Sequence, residues 1–354
     1  MKPTSTERNP QKGAVMLMVA GGAVAIFGML ALAIDVGYMM TTRAELKNAA
    51  DAGAMSANRE LARIYDGLGN VDRKNYTLTS ADKSRIQTAA NNYSQQNRAA
   101  GVAITLGSND LEYGRWNKST GAVTASSSGV NAITVTARRD EASNGSVATL
   151  FGSILGVDSF EARAASAAAV TAVSEVPAGT ADFPVGIAKA WFTAKDSPCG
   201  SSSAIRFYPT GTTTGCAGWH TFDSWPANAS KLKTILNGME NGTFTAPAIK
   251  AGETEFVFIG GTVASRFSDM ESLYNAKKDA TGSWMVQIPV YDQNDCKNPN
   301  GKIKIIGLAT ARITGVRDSP AKEIDATVEC DVISIGKGGG SDYGTLVSAP
   351  TVIR

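Results

Sequence analysis

The chain has 354 residues, with 34 Lys and Arg against 32 Asp and Glu, so its net charge of +2 gives no global basic field for nucleic acid. Its hydrophobic share of 43% and its 36 glycines suit a loop-rich β protein, and the length allows two modest domains beside an apolar segment. A single histidine, His220, weighs against histidine-based catalysis, and the four cysteines show no CxxC spacing, so neither a zinc framework nor any cofactor is expected.

Residues 1–13 form a short basic tail with Lys2, Arg8 and Lys12 against Glu7. The uncharged run 14–34 follows, and as a helix it covers roughly 30 Å, enough for a bilayer's hydrocarbon core. A basic tail before such a span predicts a cytoplasmic N-terminus and an exported body in the periplasm or outside the cell. Ala31-Leu32-Ala33 offers the alternative of a signal sequence cleaved after Ala33. The run is longer than a signal's apolar region and flows into helix-compatible sequence, which favours a retained anchor. Gly21 and Ala25 make a small-xxx-small pair, a pattern also common in spans with no helix partner. Asp35 stands at the outer end, where its carboxylate reaches interfacial water.

From Tyr38 to Tyr65 there is no proline and one glycine, Gly53. Met39, Leu46, Ala50, Gly53, Ala57, Leu61 and Ile64 fall on one stripe at helical spacing, and Lys47 pairs with Asp51 one turn on. The stripe is narrow and rich in Ala and Gly, so its partner comes very close. The chain's own sheet is the expected partner, ahead of a neighbouring subunit.

The residues here resemble a known module. Lys12-Gly13-Ala14, the apolar span, Asp35-Val36-Gly37-Tyr38 and the block from Arg43 to Ala52 are similar to the N-terminus of TadE/TadG-like proteins of the Tad (Flp, type IVc) pilus-assembly system. Gly13, Asp35, Gly37, Leu46, Asn48, Ala49, Ala50, Asp51 and Ala52 carry the match. The resemblance implies an inner-membrane, single-pass protein serving pilus biogenesis, with other Tad/Flp assembly proteins as partners. Two departures qualify it. The fifth residue after Gly13 is Met18 where prepilin processing needs Glu, so that cleavage is not expected. No Asp-x-Ser-x-Ser motif is present, so the metal-dependent adhesion of von Willebrand A domains is not carried over.

Beyond the helix, Ser80 to Ala99 reads as a second helix, capped by Ser80 or Asp82 and stopped by Gly101. Strands are expected at Val102 to Leu106, Leu111 to Trp116 and Ala132 to Arg138, a short helix at Val147 to Leu155, and a strand at Ser159 to Val173. Together they predict an α+β layer over residues 35–173, with helices covering an antiparallel sheet. Leu111 to Trp116, Asn131 to Thr136 and Leu155 to Ser159 extend the TadG-like resemblance to about residue 172.

Residues 174–181 read as a linker, residues 182–337 as a β-rich, sandwich- or barrel-like domain, and residues 338–354, opening on a glycine run, as a flexible C-terminus. Strand signals stand at Phe183 to Phe192, Ala204 to Tyr208, Gly218 to Phe222, Glu255 to Ile259, Trp284 to Tyr291, Lys302 to Thr314 and Glu323 to Ile335. Helices are expected at Lys231 to Leu236 and Ser268 to Lys277. An exported body predicts disulfides, and sequence proximity pairs Cys199 with Cys216 and Cys296 with Cys330, one of three possible pairings.

Residues that carry chemistry elsewhere lack their partners here. His220, in Trp219-His220-Thr221-Phe222, has no nucleophile elbow and reads as a packed histidine. Gly336-Lys337-Gly338-Gly339-Gly340 lacks the Lys-Ser/Thr order of a phosphate loop. Asp292-Gln293-Asn294-Asp295 opens like a calcium loop, but Cys296 stands where an oxygen ligand belongs. No catalytic, metal or small-molecule site is expected. The favoured function is a non-enzymatic, membrane-anchored component of a pilus-assembly or secretion apparatus, pseudopilin-like in the extreme case. The alternative is an exported ligand-binding or hydrolytic domain on a generic anchor.

Overall fold

From Gln11 to Gly67 no proline interrupts the chain, and the segment is one continuous α-helix of 57 residues. The computed structural model describes residues 11–353, apart from 196–198, 200–203, 208–215 and 261–262. The residues before Gln11, which hold most of the basic tail, lie outside the described ones. The chain folds as two compact units of interleaved segments: residues up to 53 with Asn91–Asp110 and Val135–Ser166, and Ala54–Ala90 with Leu111–Thr134 and Ala167–Arg354.

In the first unit, the apolar part of the long helix is exposed, with Val15, Leu17, Phe27 and Leu32 each at least 59% accessible. The helix is long and apolar enough to cross a membrane. Further along, Thr42, Leu46, Ala49 and Ala50 are fully buried. Gly53 marks the closest approach. A Cβ there would lie 2.5 Å from Ser94 Oγ, 3.1 Å from Leu106 and 3.2 Å from Val135, the last on a sheet strand. The small stripe thus packs on the chain's own sheet, and Met39 at its near end is only half-buried. Ser94 Oγ donates to Ala49 O (2.8 Å), tying the second helix to the first.

That second helix is shorter than its sequence predicts, Ser80–Ser94. Its start is a capping box: Thr79 Oγ1 accepts from Asp82 N (3.1 Å) while Asp82 Oδ2 accepts from Thr79 N (2.9 Å), so Thr79 and not Ser80 is the cap. Its end is set by a hairpin, Arg98–Ala99 against Val102–Ala103. Ala100 (φ 48°) and Gly101 (φ 78°) form the turn, so Gly101 shapes a β-turn rather than ending the helix, and the strand expected to Leu106 stops at Ala103. Val147–Leu155 is not a helix either. Val147–Ala148 pairs with Ser159–Phe160 in a short hairpin, with one 3-10 turn at Gly152–Leu155. Its apolar run of a few residues has no helical period to hold it, and Gly156 at φ 83° closes the turn.

A five-stranded sheet has the order Thr351–Ile353, Ala162–Ala169, Ala132–Arg139, Leu111–Trp116, Val123–Ala125. In the second unit, a seven-stranded sheet is organised on the 17-residue strand Gly301–Arg317, paired antiparallel with Trp284–Tyr291 and Glu323–Glu329. Another five-stranded sheet centres on Ala172–Val176. Both feed one hydrophobic core, Val173 and Val347 from one side and Val286, Ile288 and Ala309 from the other. Helices Ala229–Asn241 and Phe267–Lys277 close it, the first burying Leu232, Ile235, Leu236 and Met239 at helical spacing. The mixed α+β class predicted for the chain holds.

Three expectations for this part change. The start of the predicted linker lies in the strand Ala172–Val176, and Pro177–Thr180 is a turn bonded Thr180 N to Pro177 O (3.4 Å). The segment expected to be flexible forms strands Lys337–Gly340, Thr345–Val347 and Thr351–Ile353. Its glycines are sites of contact: a Cβ on Gly338 would collide with Thr171 Oγ1, and one on Gly340 with the Val173 carbonyl. The cysteines pair as Cys199–Cys330 (Cα–Cα 5.3 Å) and Cys216–Cys296 (4.2 Å), against the proximity pairing. Sheet register decides this. Ala204 lies opposite Thr327 in an antiparallel pair, which carries Cys199 toward Cys330. Val185–Ala188 joins both Ala217–Trp219 and Trp284–Tyr291, which carries Cys216 toward Cys296.

His220 is fully buried among Phe222, Phe256 and Phe258, with ring centroids 4.6–5.4 Å away. Its Nδ1 accepts from Phe222 N (3.3 Å), and burial pushes its pKa down from 6.5 to about 3.

Two predictions follow from this packing. The folded pKa of His220 lies below the unfolded one, so its stabilising contribution is complete above pH 6.5 and is lost as pH falls toward about 3. The unfolding free energy of wild type minus that of His220→Phe, measured by denaturant titration, should decrease across that window; a flat difference would refute a buried neutral imidazole. Gly53→Val should cost about 1–3 kcal/mol through overpacking against Ser94, Leu106 and Val135. An unchanged denaturation midpoint would show that the close approach does not exist.

Candidate functional site

The residues singled out by motif all fall on the long helix, within the first unit. Leu46, Ala49 and Ala50 are fully buried, Asp51 and Ala52 half-buried, and Asn48 and Gly37 exposed. Gly13 belongs to the first turns of the helix. Lys47 Nζ meets Asp51 Oδ1 at 2.6 Å on the outer side, an exposed pair that contributes little to stability. Glu45, on an adjacent turn, accepts from Ala100 N (2.7 Å) and fixes the hairpin that ends the second helix. The motif block is therefore partly a packing surface and partly an open face.

Asp35 has a distinct role. Its Oδ1 accepts from Leu150 N (2.8 Å) and Phe151 N (3.2 Å), and its Oδ2 lies 3.2 Å from Phe151 N. The carboxylate thus closes two backbone donors at the start of the 3-10 turn. Tyr38, one turn on, stands edge-on to Phe160 at 6.1 Å. A groove of about 160 Å³ lies between them, lined by Leu32, Asp35, Met39, Phe151, Leu155 and Phe160 among others. Sequence placed Asp35 at the interface but carried no signal for its long-range partners.

In the second unit lies a larger cleft of about 510 Å³, lined by Tyr65, Arg73, Lys74, Arg115, Trp116 and Asp342 among others. Arg73 is 8% exposed, and its Nη1 donates to Gly344 O (3.1 Å). Its Nε and Nη2, together with Trp116 Nε1, are buried without a hydrogen-bond partner among the described residues. Desolvation lowers the Arg73 pKa, and the charges of Asp342 and Asp331 oppose that shift. Arg115 donates to Ser128 O (2.9 Å) and to Lys74 O. The buried Arg73 and Trp116 donors thus leave hydrogen-bonding capacity unmet beside a cleft that Asp72 and Asp342 also line. The sequence marked Trp116 only as the end of a family-like strand and did not single out Arg73, since an isolated Arg in a loop carries no pattern.

Elsewhere the candidate loops are internally satisfied. Asp295 Oδ1 accepts from Gln293 Nε2 (2.6 Å) and Lys297 N (3.2 Å), and Asp292 faces Lys189 at 3.5 Å. Among the described residues no group of three or more His, Cys, Asp or Glu is placed to hold a metal ion.

Comparison with protein families gives two matches. Residues 13–60 match the model described as Flp pilus-assembly TadE/G-like, and residues 67–170 match the one described as Tad-like Flp pilus-assembly. No curated protein and no solved structure matches the chain. Residues 171–354 lie outside both family matches, while every residue of the Asp35 contact and of the Leu46–Ala52 block lies inside them. Over residues 13–60 and 67–170, the chain is thus similar to the Flp pilus-assembly TadE/G-like and Tad-like families.

Proposed function

We propose that the protein is a non-enzymatic component of a Tad/Flp-type pilus-assembly or secretion apparatus, held in the inner membrane by a single retained span, with its body outside the cytoplasm. The observation that carries this reading is the unbroken helix from Gln11 to Gly67, whose exposed apolar part runs directly into the buried Leu46–Ala50 surface. A cleaved leader has no reason to share a rigid element with the folded body. The partners are the bilayer and other assembly proteins, met through the exposed side of the motif block, where Lys47 and Asn48 stand clear. Two disulfides closing separations of 131 and 80 residues fit an oxidising compartment, and each contributes about 4–5 kcal/mol in the chain-entropy model.

A second reading, an exported ligand-binding body, is favoured by one observation, the unpaired donors of Arg73 and Trp116 in their cleft. It adds a binding role to the assembly role and does not replace it.

Deleting the gene should abolish or sharply reduce surface pili, scored by electron microscopy; normal piliation would remove the assembly role. The full-length protein recovered from membranes should keep residues before Asp35 on N-terminal sequencing. A mature terminus at Ile34 would overturn the retained anchor. For the cleft, thermal melts with excess inorganic phosphate or a dicarboxylate should raise the midpoint of wild type but not of Arg73→Met. Equal responses of the two proteins would dismiss the binding role.

A further inference from the structure

The hairpin excursion between Ala148 and Ser159 presents an unusual surface. Leu150 is 55% exposed, Phe151 38%, Ile154 79%, Leu155 70% and Val157 54%. No charged residue occurs from Ala142 through Val157. A ten-residue loop that displays five large apolar side chains to water is costly unless something apolar covers it.

The loop is not loose. Thr149 N donates to Asp158 O (3.0 Å), Val157 N to Gly152 O (3.0 Å), and Thr149 Oγ1 to Val157 O (2.7 Å). Gly152 permits this tight closure, since a Cβ there would stand 2.7 Å from Val157 O. The apolar side chains are therefore held outward by a built turn. The turn is in its own way seated on the long helix, through the Asp35 bonds to Leu150 N and Phe151 N and the Tyr38–Phe160 contact.

That seat fixes the height of the loop. Asp35 is the first charge after the uncharged run, so whatever bilayer surrounds the run has its outer boundary at Asp35. Exposed apolar side chains recur along the helix from Val15 to Ile34, and those of the loop lie beside its outer end.

We propose that Thr149–Asp158 is a second membrane contact, a monotopic loop whose Leu150, Phe151, Ile154, Leu155 and Val157 enter the outer leaflet at the headgroup–acyl boundary, with Asp35 as the positioning residue that seats it. This proposal rests on the anchor reading above. The occupant is lipid because a loop bonded at the end of a spanning helix lies at the depth of the interface, where an apolar surface buries about 5–10 Å. The two contacts together resist rotation and tilt of the helix, which a single span leaves free. The body then leaves the membrane in a defined orientation, as a component that docks laterally onto neighbours requires.

The test uses the full-length chain in lipid nanodiscs containing phosphatidylcholine brominated either near the headgroup or deep in the acyl chain. Two variants each add one tryptophan, Ile26→Trp within the span and Ile154→Trp on the loop, and wild type supplies the background of the native tryptophans. The Ile154→Trp emission should be lost mainly to shallow bromines and the Ile26→Trp emission mainly to deep ones. Deep quenching of Ile26→Trp, with Ile154→Trp quenched by aqueous acrylamide alone, would overturn the loop proposal and leave the anchor standing. An Ile154→Trp emission shielded from both acrylamide and bromine would mean a protein partner covers the loop, which also overturns it. An Ile26→Trp emission that no bromolipid reaches would refute the anchor itself, and the loop contact with it. In the Ile154→Trp background, Asp35→Ala should weaken shallow quenching while Asp35→Asn, which keeps an acceptor, should retain most of it. Equal quenching in both would remove the seating role from Asp35.

Discussion

One helix has to satisfy two environments without a joint between them. Its first part exposes Val, Leu, Met and Phe all round, which is stable in hydrocarbon and not in water. Its second part buries a stripe of Ala, Gly and Leu against protein. A hinge would relax the conflict, but from Gln11 to Gly67 the backbone ladder is continuous. Gly37, the natural place for a break, sits inside the helix with open space where a Cβ would be. The small stripe is what allows the second part to be buried: at Gly53 even a methyl group would meet Ser94 at 2.5 Å. Rigidity follows from the absence of proline, and intimacy with the sheet from the absence of side chain.

The motif residues divide along the same line. Leu46, Ala49 and Ala50 need no functional explanation beyond packing, since they are fully buried and any larger residue would overpack the contact. Asp35 needs one, because a carboxylate at the end of an apolar run is costly unless it is solvated or bonded. Its oxygens meet two backbone N–H groups that would otherwise be free at the start of a short turn. Lys47 and Asn48 are left with neither burial nor long-range partners to explain their presence in the block. Lys47 bonds only Asp51 on the same helix, and Asn48 is exposed.

The long helix was legible in the sequence because three signals agreed: no proline, a 3.5-residue stripe and an uncharged run of bilayer length. So were Leu111–Trp116 and Trp284–Tyr291, whose bounds match their β-rich composition. The disulfides were not, since the pairing depends on which strands become neighbours. Val185–Ala188 bridges strands that are about a hundred residues from it on one side and about thirty on the other. The Val147–Leu155 run misread as a helix because four or five apolar residues have no period of their own. The glycine run near Gly338 misread as flexible for an opposite reason: there glycine is the residue that lets strands at Thr171 and Val173 come within reach. Composition records freedom in the unfolded chain, and the fold spends that freedom on proximity. The cleft was invisible because Arg73, Trp116 and Gly344 come from distant parts of the sequence.

The titratable groups at the centre of the second unit and in its cleft sit in contrasting surroundings. The one imidazole of the chain is fully buried in an aromatic cage, its Nδ1 occupied by a backbone N–H and its pKa held near 3. It stays neutral in any physiological compartment and touches no solvent, so it can neither take a proton from a substrate nor return one. The cleft supplies a different setting: an arginine whose pKa desolvation lowers against the opposing charges of Asp342 and Asp331, beside an indole N–H. Asp72 and Asp342 line the same cleft.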